Sequence, residues 1–247
     1  CFAHSAPDSF TCKPLPFYRF RADGRQQYQF NRLTAAAPLM VRLIYFIPSD
    51  RPFRAEVPPQ MEAFIKETQA FYANQMQSHG YGRKTFAFET NAAGQAIVHR
   101  VDGRFPDSHY LGGNTSRNAD AEIEGQFSLT DNIYLVAVDV SDGWINGAGG
   151  VGGSRGPNGG VAFVPASGAS FAFRTAAHEL GHAFGLQHDF NDDTNMMSYG
   201  NNPNHLSACS AEFLDVNRFF NPNLNFTSEA EPTIRITSSL EYPVGAN

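Results

Sequence analysis

Hydrophobic residues recur with strand-like or helix-like spacing along much of the chain. The apolar run 39–47 (LMVRLIYFI) is rich in β-branched and aromatic residues and predicts a buried strand. Pro58-Pro59 opens a segment whose apolar residues recur at helical spacing to about residue 79, which predicts a helix with one core-facing stripe. Three further segments are predicted as strands from their alternation or apolar character: 84–89, 96–101 and 133–140.

The second half of the chain begins with a glycine-rich segment at 147–160. Its G-x-G-x-x-G spacing would need a following helix to hold a phosphate, and more glycine follows instead, so a mobile surface loop is the better prediction. Val161 to Val164 then predict a short edge strand. Ser170 is a plausible N-cap for a helix running to about Phe184, and Gly185 is placed to end it.

The remaining segments set the predicted domain limits. Residues 186–205 are rich in Asn, Asp and Gly and predict a loop, after which Ser207 is predicted to cap a last helix that ends at Asn221-Pro222. We expect an N-terminal arm or pro-segment remnant at 1–37, one domain at 38–222 and a tail at 223–247. The alternation of the tail resembles the start of a β module, so we expect the native chain to continue beyond Asn247.

Composition limits the classes of partner. The chain has 247 residues, 42% of them hydrophobic, and a formal net charge of −6, so it is globular and carries no basic surplus for nucleic acid. No apolar run reaches the length of a membrane span, and residues 1–20 lack the apolar core of a signal peptide. We therefore expect no nucleic acid, no transmembrane segment and a monomer.

Cysteine usage leaves alternatives open. The chain has three cysteines, so one disulfide at most can form within it. A Cys1–Cys12 bond could staple the arm, Cys1 could carry the lipid of a bacterial lipoprotein, or Cys1 could simply be where this sequence begins. Cys209 lies in an apolar helical pattern and is predicted to be a packed core residue.

The segment HELGHAFGLQHD at 178–189 carries the clearest chemistry. His178 and His182 are four residues apart, so on a helix both imidazoles leave the same face and can meet one zinc ion. Glu179 is placed to reach a water there without becoming a ligand. Gly185 lets the chain turn out of the helix, so His188 can return as a third ligand, and three protein ligands leave a position open for catalysis.

The extended HExxHxxGxxH motif, followed by a methionine-containing turn at 195–200 (NMMSYG), resembles the signature of the metzincin clan of zinc peptidases. The resemblance implies that Met197 forms an apolar floor under the histidines. Met197-Ser198-Tyr199 resembles the Met-x-Tyr of astacins and serralysins, in which the tyrosine stabilises the tetrahedral intermediate. Asp189 resembles the acid of adamalysins that braces the loop after the third ligand. The features are mixed, so they indicate the clan and no single family.

The resemblance also implies an α/β (α+β) fold. We expect a twisted mixed sheet backed by helices in an N-terminal subdomain at 38–185, with an edge strand beside the substrate cleft. A small, irregular C-terminal subdomain at 186–222 should end in a helix. In this plan Val161 to Val164 would be the cleft edge, able to pair with an extended substrate.

The function expected from these residues is zinc-dependent endopeptidase activity on protein or peptide substrates, outside the cell or anchored at its surface. Glu179 would be the general base and Tyr199 would donate to the oxyanion. The alternatives are a highly selective zinc enzyme and a non-catalytic binding or adhesion module. Calcium binding by Asp189, Asp192 and Asp193 is conceivable, but no motif supports it.

Overall fold

The structure is a computed structural model that describes residues 39–189, 192–200 and 202–222. It also gives two short strands in the N-terminal arm, β1 (Arg19–Phe20) and β2 (Gln26–Gln27), which pair antiparallel. Apart from these strands, the predicted arm at 1–37, with Cys1 and Cys12, and the predicted tail at 223–247 lie outside the described residues.

The main domain is built on a five-stranded mixed sheet with the order β4-β3-β5-β7-β6. Neighbours among β4, β3, β5 and β7 pair in parallel, and β6 pairs antiparallel to β7 at one edge. The strands are β3 (Val41–Ile47), β4 (Val98–Asp102), β5 (Ile133–Val138), β6 (Val151–Ser154) and β7 (Gly160–Pro165). The predicted mixed sheet is therefore confirmed.

Helices cover both faces of this sheet. The α-helices of the described residues are α1 (Val57–Ser78), α2 (Thr115–Ile123), α3 (Phe173–Ala183) and α4 (Ala208–Asp215). One core cluster joins α1, α3 and α4 to one face of the sheet, and a second joins α2 to the opposite face. The helix α2 was not predicted, because only Ala119 and Ile123 bury apolar side chains in its nine residues.

Two strand predictions are wrong. Residues 84–89 form no strand of the sheet, and the segment meets β3 only at an isolated bridge between Val41 and Phe88. Val161 to Val164 belong to β7, which is paired on both sides and buried throughout, so they are not the edge strand. The edge is β6, which lies within the glycine-rich segment that was predicted to be a mobile loop.

The edge strand is rich in glycine because it lies directly against the backbone of α3. A Cβ atom added to Gly152 would lie 2.2 Å from the backbone oxygen of Glu179, and one added to Gly150 would lie 2.6 Å from the Cγ of Glu179. Real Cβ atoms do not approach other atoms so closely, and only glycine lets the two backbones come together here. The close approach sets the edge strand beside the predicted catalytic acid.

One buried hydrogen bond fixes α3 to α1, and a part-buried polar network holds the segment that precedes α3. The Tyr72 hydroxyl of α1 donates to the backbone oxygen of Ala177 over 2.8 Å. Asp139, at the end of β5, accepts hydrogen bonds from Arg51 and Arg54, and Arg54 also donates to the backbone oxygen of Ala166 over 2.7 Å. This last bond anchors the segment that leads from β7 into α3.

Cys209 differs from its prediction. It is half-buried on α4 and forms a disulfide, so it is not a packed core thiol. Its disulfide partner lies outside the described residues. Among the described helices, none is both long enough and apolar enough to cross a lipid bilayer.

We expect Gly152→Ala to lower the free energy of unfolding by about 1–3 kcal/mol, the usual cost of overpacking, because the added methyl meets the α3 backbone. Gly153→Ala is the matched control, since nothing lies within 4 Å of a Cβ at this neighbouring position of the same strand. Chemical denaturation of both variants measures the difference. Equal stabilities would show that β6 and α3 are not in close contact.

Candidate metal centre

The helix α3 and the turn that ends it bring the three predicted ligands together. His178 and His182 lie one turn apart on α3. The helix ends at Gly185, whose φ of 102° lies in the left-handed region that favours glycine, and the backbone N–H of Leu186 bonds back to the oxygen of Gly181 over 2.9 Å. This turn reverses the chain, so His188 returns to the same face of the helix.

The Nε2 atoms of the three histidines form a nearly equilateral triangle. They are separated by 3.2 Å between His178 and His182, 3.1 Å between His182 and His188, and 3.3 Å between His178 and His188. A tetrahedral zinc ion with bonds of about 2.0–2.1 Å separates its ligand nitrogens by about 3.3–3.4 Å. The donor set and its spacing therefore fit zinc. In the described part of the chain, this triad is the one group of three or more such donors that gathers in this way.

Each ring is oriented by a partner at its other nitrogen. The Nδ1 of His178 lies 2.6 Å from the backbone oxygen of Met196, and the Nδ1 of His182 lies 2.9 Å from that of Leu186. The Nδ1 of His188 lies 3.1 Å from the hydroxyl of Tyr199. A carbonyl at Nδ1 requires the proton there, which leaves the lone pair of Nε2 free to bind a metal.

The methionine turn packs beneath α3. Met197 is fully buried, and a Cβ atom on Gly181 would lie 2.4 Å from its sulfur atom. Gly181 directly precedes His182, so the Met197 side chain lies directly under the histidine-bearing turn of the helix. Met196 is buried as well, but it contributes its backbone oxygen to His178.

Asp189 joins the loop after His188 to the last helix. Its carboxylate accepts hydrogen bonds from the hydroxyls of Ser207 and Ser210, and its backbone N–H bonds to the oxygen of Met197 over 2.7 Å. Ser207 is the N-cap of α4, as predicted, and accepts from the backbone N–H of Ser210. Asp189 thus ties the third histidine, the methionine turn and α4 together.

Glu179 points from α3 toward the glycine-rich edge strand. It is only 7% exposed, and burial raises its pKa to about 7, opposed in part by the backbone N–H of Gly152. Burial acts in the opposite direction on the imidazoles. It lowers the pKa of His178 to about 4 and also lowers the pKa of His188. Both histidines are therefore in their neutral, metal-binding form near neutral pH.

Tyr199 is at the site, but its hydroxyl does not point toward the triangle of nitrogens. The hydroxyl contacts the Nδ1 of His188, on the opposite side of that ring from the Nε2, and the side chain is 79% exposed.

The three acids considered for calcium do not form a cluster. Asp189 braces α4 as described, and the carboxylate of Asp192 accepts from the N–H and the hydroxyl of Thr194. Asp193 belongs to no group of metal-ligating side chains among the described residues.

Comparison with known proteins agrees with this geometry. A family model described as metallo-peptidase family M12 (a reprolysin model) matches residues 108–214, a range that includes α3, the three histidines and the methionine turn. No curated relative matches the chain.

Solved structures share the fold. Wild-type OgpA from Akkermansia muciniphila superposes with a TM-score of 0.57 at 19% identity, over 81% of this chain and 67% of that one. Catalytically inactive OgpA, solved in complex with an O-glycopeptide (glycodrosocin) substrate, gives a TM-score of 0.55 at 18% identity over the same shares. The present chain thus spans about two thirds of the length of OgpA. The similarity confirms the predicted fold class.

Proposed function

We propose that the chain is a zinc metallopeptidase of the metzincin type, an endopeptidase whose metal is held by His178, His182 and His188. The observation that carries this proposal is the triangle of Nε2 atoms 3.1–3.3 Å apart, with the buried carboxyl of Glu179 beside it. A structural zinc site would close the fourth position with another protein ligand, and no such group joins the triad among the described residues.

A zinc ion in this position supplies Lewis acidity, which acidifies water and polarises a peptide carbonyl. Glu179 then accepts a proton from the attacking water and delivers it to the departing nitrogen. A pKa raised by burial suits this role, because the same carboxyl must take up and release a proton near neutral pH. Met197 and Gly185 act indirectly. Met197 packs beneath α3, and the turn at Gly185 brings His188 back to the other two histidines.

The edge strand β6 is the proposed docking edge for the substrate. Its outer side pairs with no other strand of the described sheet, so its backbone groups are available to an extended peptide. Because Gly152 of β6 and the preceding Gly150 pack against Glu179, a peptide bound along β6 would pass next to its carboxyl. We therefore assign the substrate-docking edge to Val151–Ser154, and not to the predicted segment Val161–Val164.

We propose that Tyr199 stabilises the oxyanion after its side chain turns from His188 toward the bound substrate. The side chain is exposed, and its phenol O–H can donate a hydrogen bond. In the structure the same hydroxyl lies 3.1 Å from the Nδ1 of His188.

An extracellular or surface-anchored location is also part of the proposal. The disulfide at Cys209 supports it, because such bonds persist in oxidising compartments. A non-catalytic binding or adhesion module remains the alternative function, and the activity measurement below decides between the two.

We expect Glu179→Ala to reduce kcat/KM on denatured casein by about 10²–10⁴-fold, the usual contribution of a general base. The variant should still bind about one zinc per chain by elemental mass spectrometry, since three histidines remain. Glu67→Ala, an exposed acid on α1, is the control and should match the wild type. An O-glycosylated peptide belongs in the substrate panel, because OgpA was solved with one. A wild type that binds zinc but cleaves nothing would favour the binding module.

Replacing Tyr199 by Phe removes the proposed oxyanion donor and keeps the ring. We expect kcat to fall on the order of 100-fold, with KM almost unchanged, when activity is measured at saturating zinc. Tyr199 also contacts His188, and losing that contact would weaken zinc binding. Excess zinc corrects a loss of metal affinity, so the fall in kcat that remains at saturating zinc reports the loss of the oxyanion donor. Full recovery of kcat with added zinc would contradict the oxyanion role.

A further inference from the structure

Arg174 lies close to the metal centre but has no part in the chemistry described so far. It precedes His178 by four residues on α3, so the two side chains leave the same face of the helix, about 6 Å apart along its axis. Its side chain is exposed. It therefore places a positive charge one helical turn from the first zinc ligand.

The guanidinium of Arg174 is held by the loop that follows the methionine turn. Its Nη2 donates to the Oδ1 of Asn202 over 3.1 Å, and the backbone N–H of Asn202 bonds to the oxygen of Asp193 over 3.0 Å. The charge is thus fixed between α3 and the C-terminal part of the domain, near the methionine turn. The hydrogen bond to Asn202 restricts the positions that the Arg174 side chain can adopt.

Arg174 has no carboxylate partner among the described residues. Six other arginines of the described domain form ion pairs with Asp or Glu: Arg42, Arg51, Arg54, Arg100, Arg104 and Arg155. Asp192 and Asp193 belong to the same loop region as Asn202, whose backbone N–H bonds to the oxygen of Asp193. Asp192 is bonded to Thr194, and neither acid forms an ion pair with Arg174. Among the residues that the structure describes, Asn202 is the one hydrogen-bond partner of its guanidinium.

A guanidinium presents paired N–H groups that match the two oxygens of a carboxylate. The backbone positions of Arg174 and His178 are about 6 Å apart along α3, and successive residues of an extended peptide are about 3.3 Å apart, so this offset is about the length of two substrate residues. We propose that Arg174 selects substrates with Asp or Glu within two residues of the scissile bond. This inference rests on the proposed peptidase activity, and it makes Arg174 a specificity-determining residue without a part in catalysis.

The test begins by mapping the cleavage sites of the wild type in a proteome-derived peptide library by mass spectrometry. Pairs of peptides are then made with Glu or Gln at each of the two positions on either side of the scissile bond. We expect the wild type to prefer Glu over Gln at one of these positions by about 10- to 100-fold in kcat/KM, as for a hydrogen bond between charged groups.

Three variants complete the test. Arg174→Gln should lose the preference while cleaving the Gln peptide as the wild type does, which also shows that the variant is folded. Arg174→Glu should prefer Lys over Glu at the same position. Arg83→Gln is the matched control, because Arg83 is also exposed and bonded to an asparagine side chain, that of Asn74, and it lies outside the site. It should keep the wild-type preference.

The outcomes separate this inference from the proposed function. Equal cleavage of the Glu and Gln peptides by the wild type, or a preference for Glu that survives in Arg174→Gln, would overturn the role of Arg174 and leave the peptidase activity standing. A zinc-loaded wild type that cleaves no peptide would overturn both.

Discussion

The site depends on the hydrogen bonds that orient the three imidazole rings. Two of the three Nδ1 atoms meet backbone oxygens, those of Met196 and Leu186, so the ring positions follow from the path of the main chain. That path is set by the left-handed turn at Gly185 and by the methionine turn. The Nε2 atoms consequently converge to within 3.1–3.3 Å of one another.

Close packing on both sides of α3 keeps this arrangement in place. On one side the edge strand approaches Glu179 at Gly152, and on the other the sulfur of Met197 approaches the helix at Gly181. Both contacts require a glycine, since a side chain would separate the layers. The first sets the carboxyl of Glu179 beside the edge strand β6, and the second places Met197 beneath the turn of α3 that carries His182. The same fold thus positions both the acid and the metal ligands.

The sequence was most informative where the determinants are local. The spacing of His178 and His182, the turn at Gly185 and the Ser207 cap each depend on residues within a few positions, and all three were predicted. The role of the glycine-rich segment was missed because the atoms that demand glycine belong to Glu179, which is distant in sequence. Strand order and the contact between Arg174 and Asn202 are likewise long-range, and no spacing rule encodes them.

The central claim is that three imidazole nitrogens hold one catalytic zinc ion. X-ray absorption spectroscopy at the zinc edge of the purified, zinc-loaded protein tests it most directly. The account predicts three imidazole ligands at about 2.0–2.1 Å and a fourth light atom from solvent, with no sulfur in the shell. A sulfur ligand, or fewer than three imidazoles at full zinc occupancy, would contradict it.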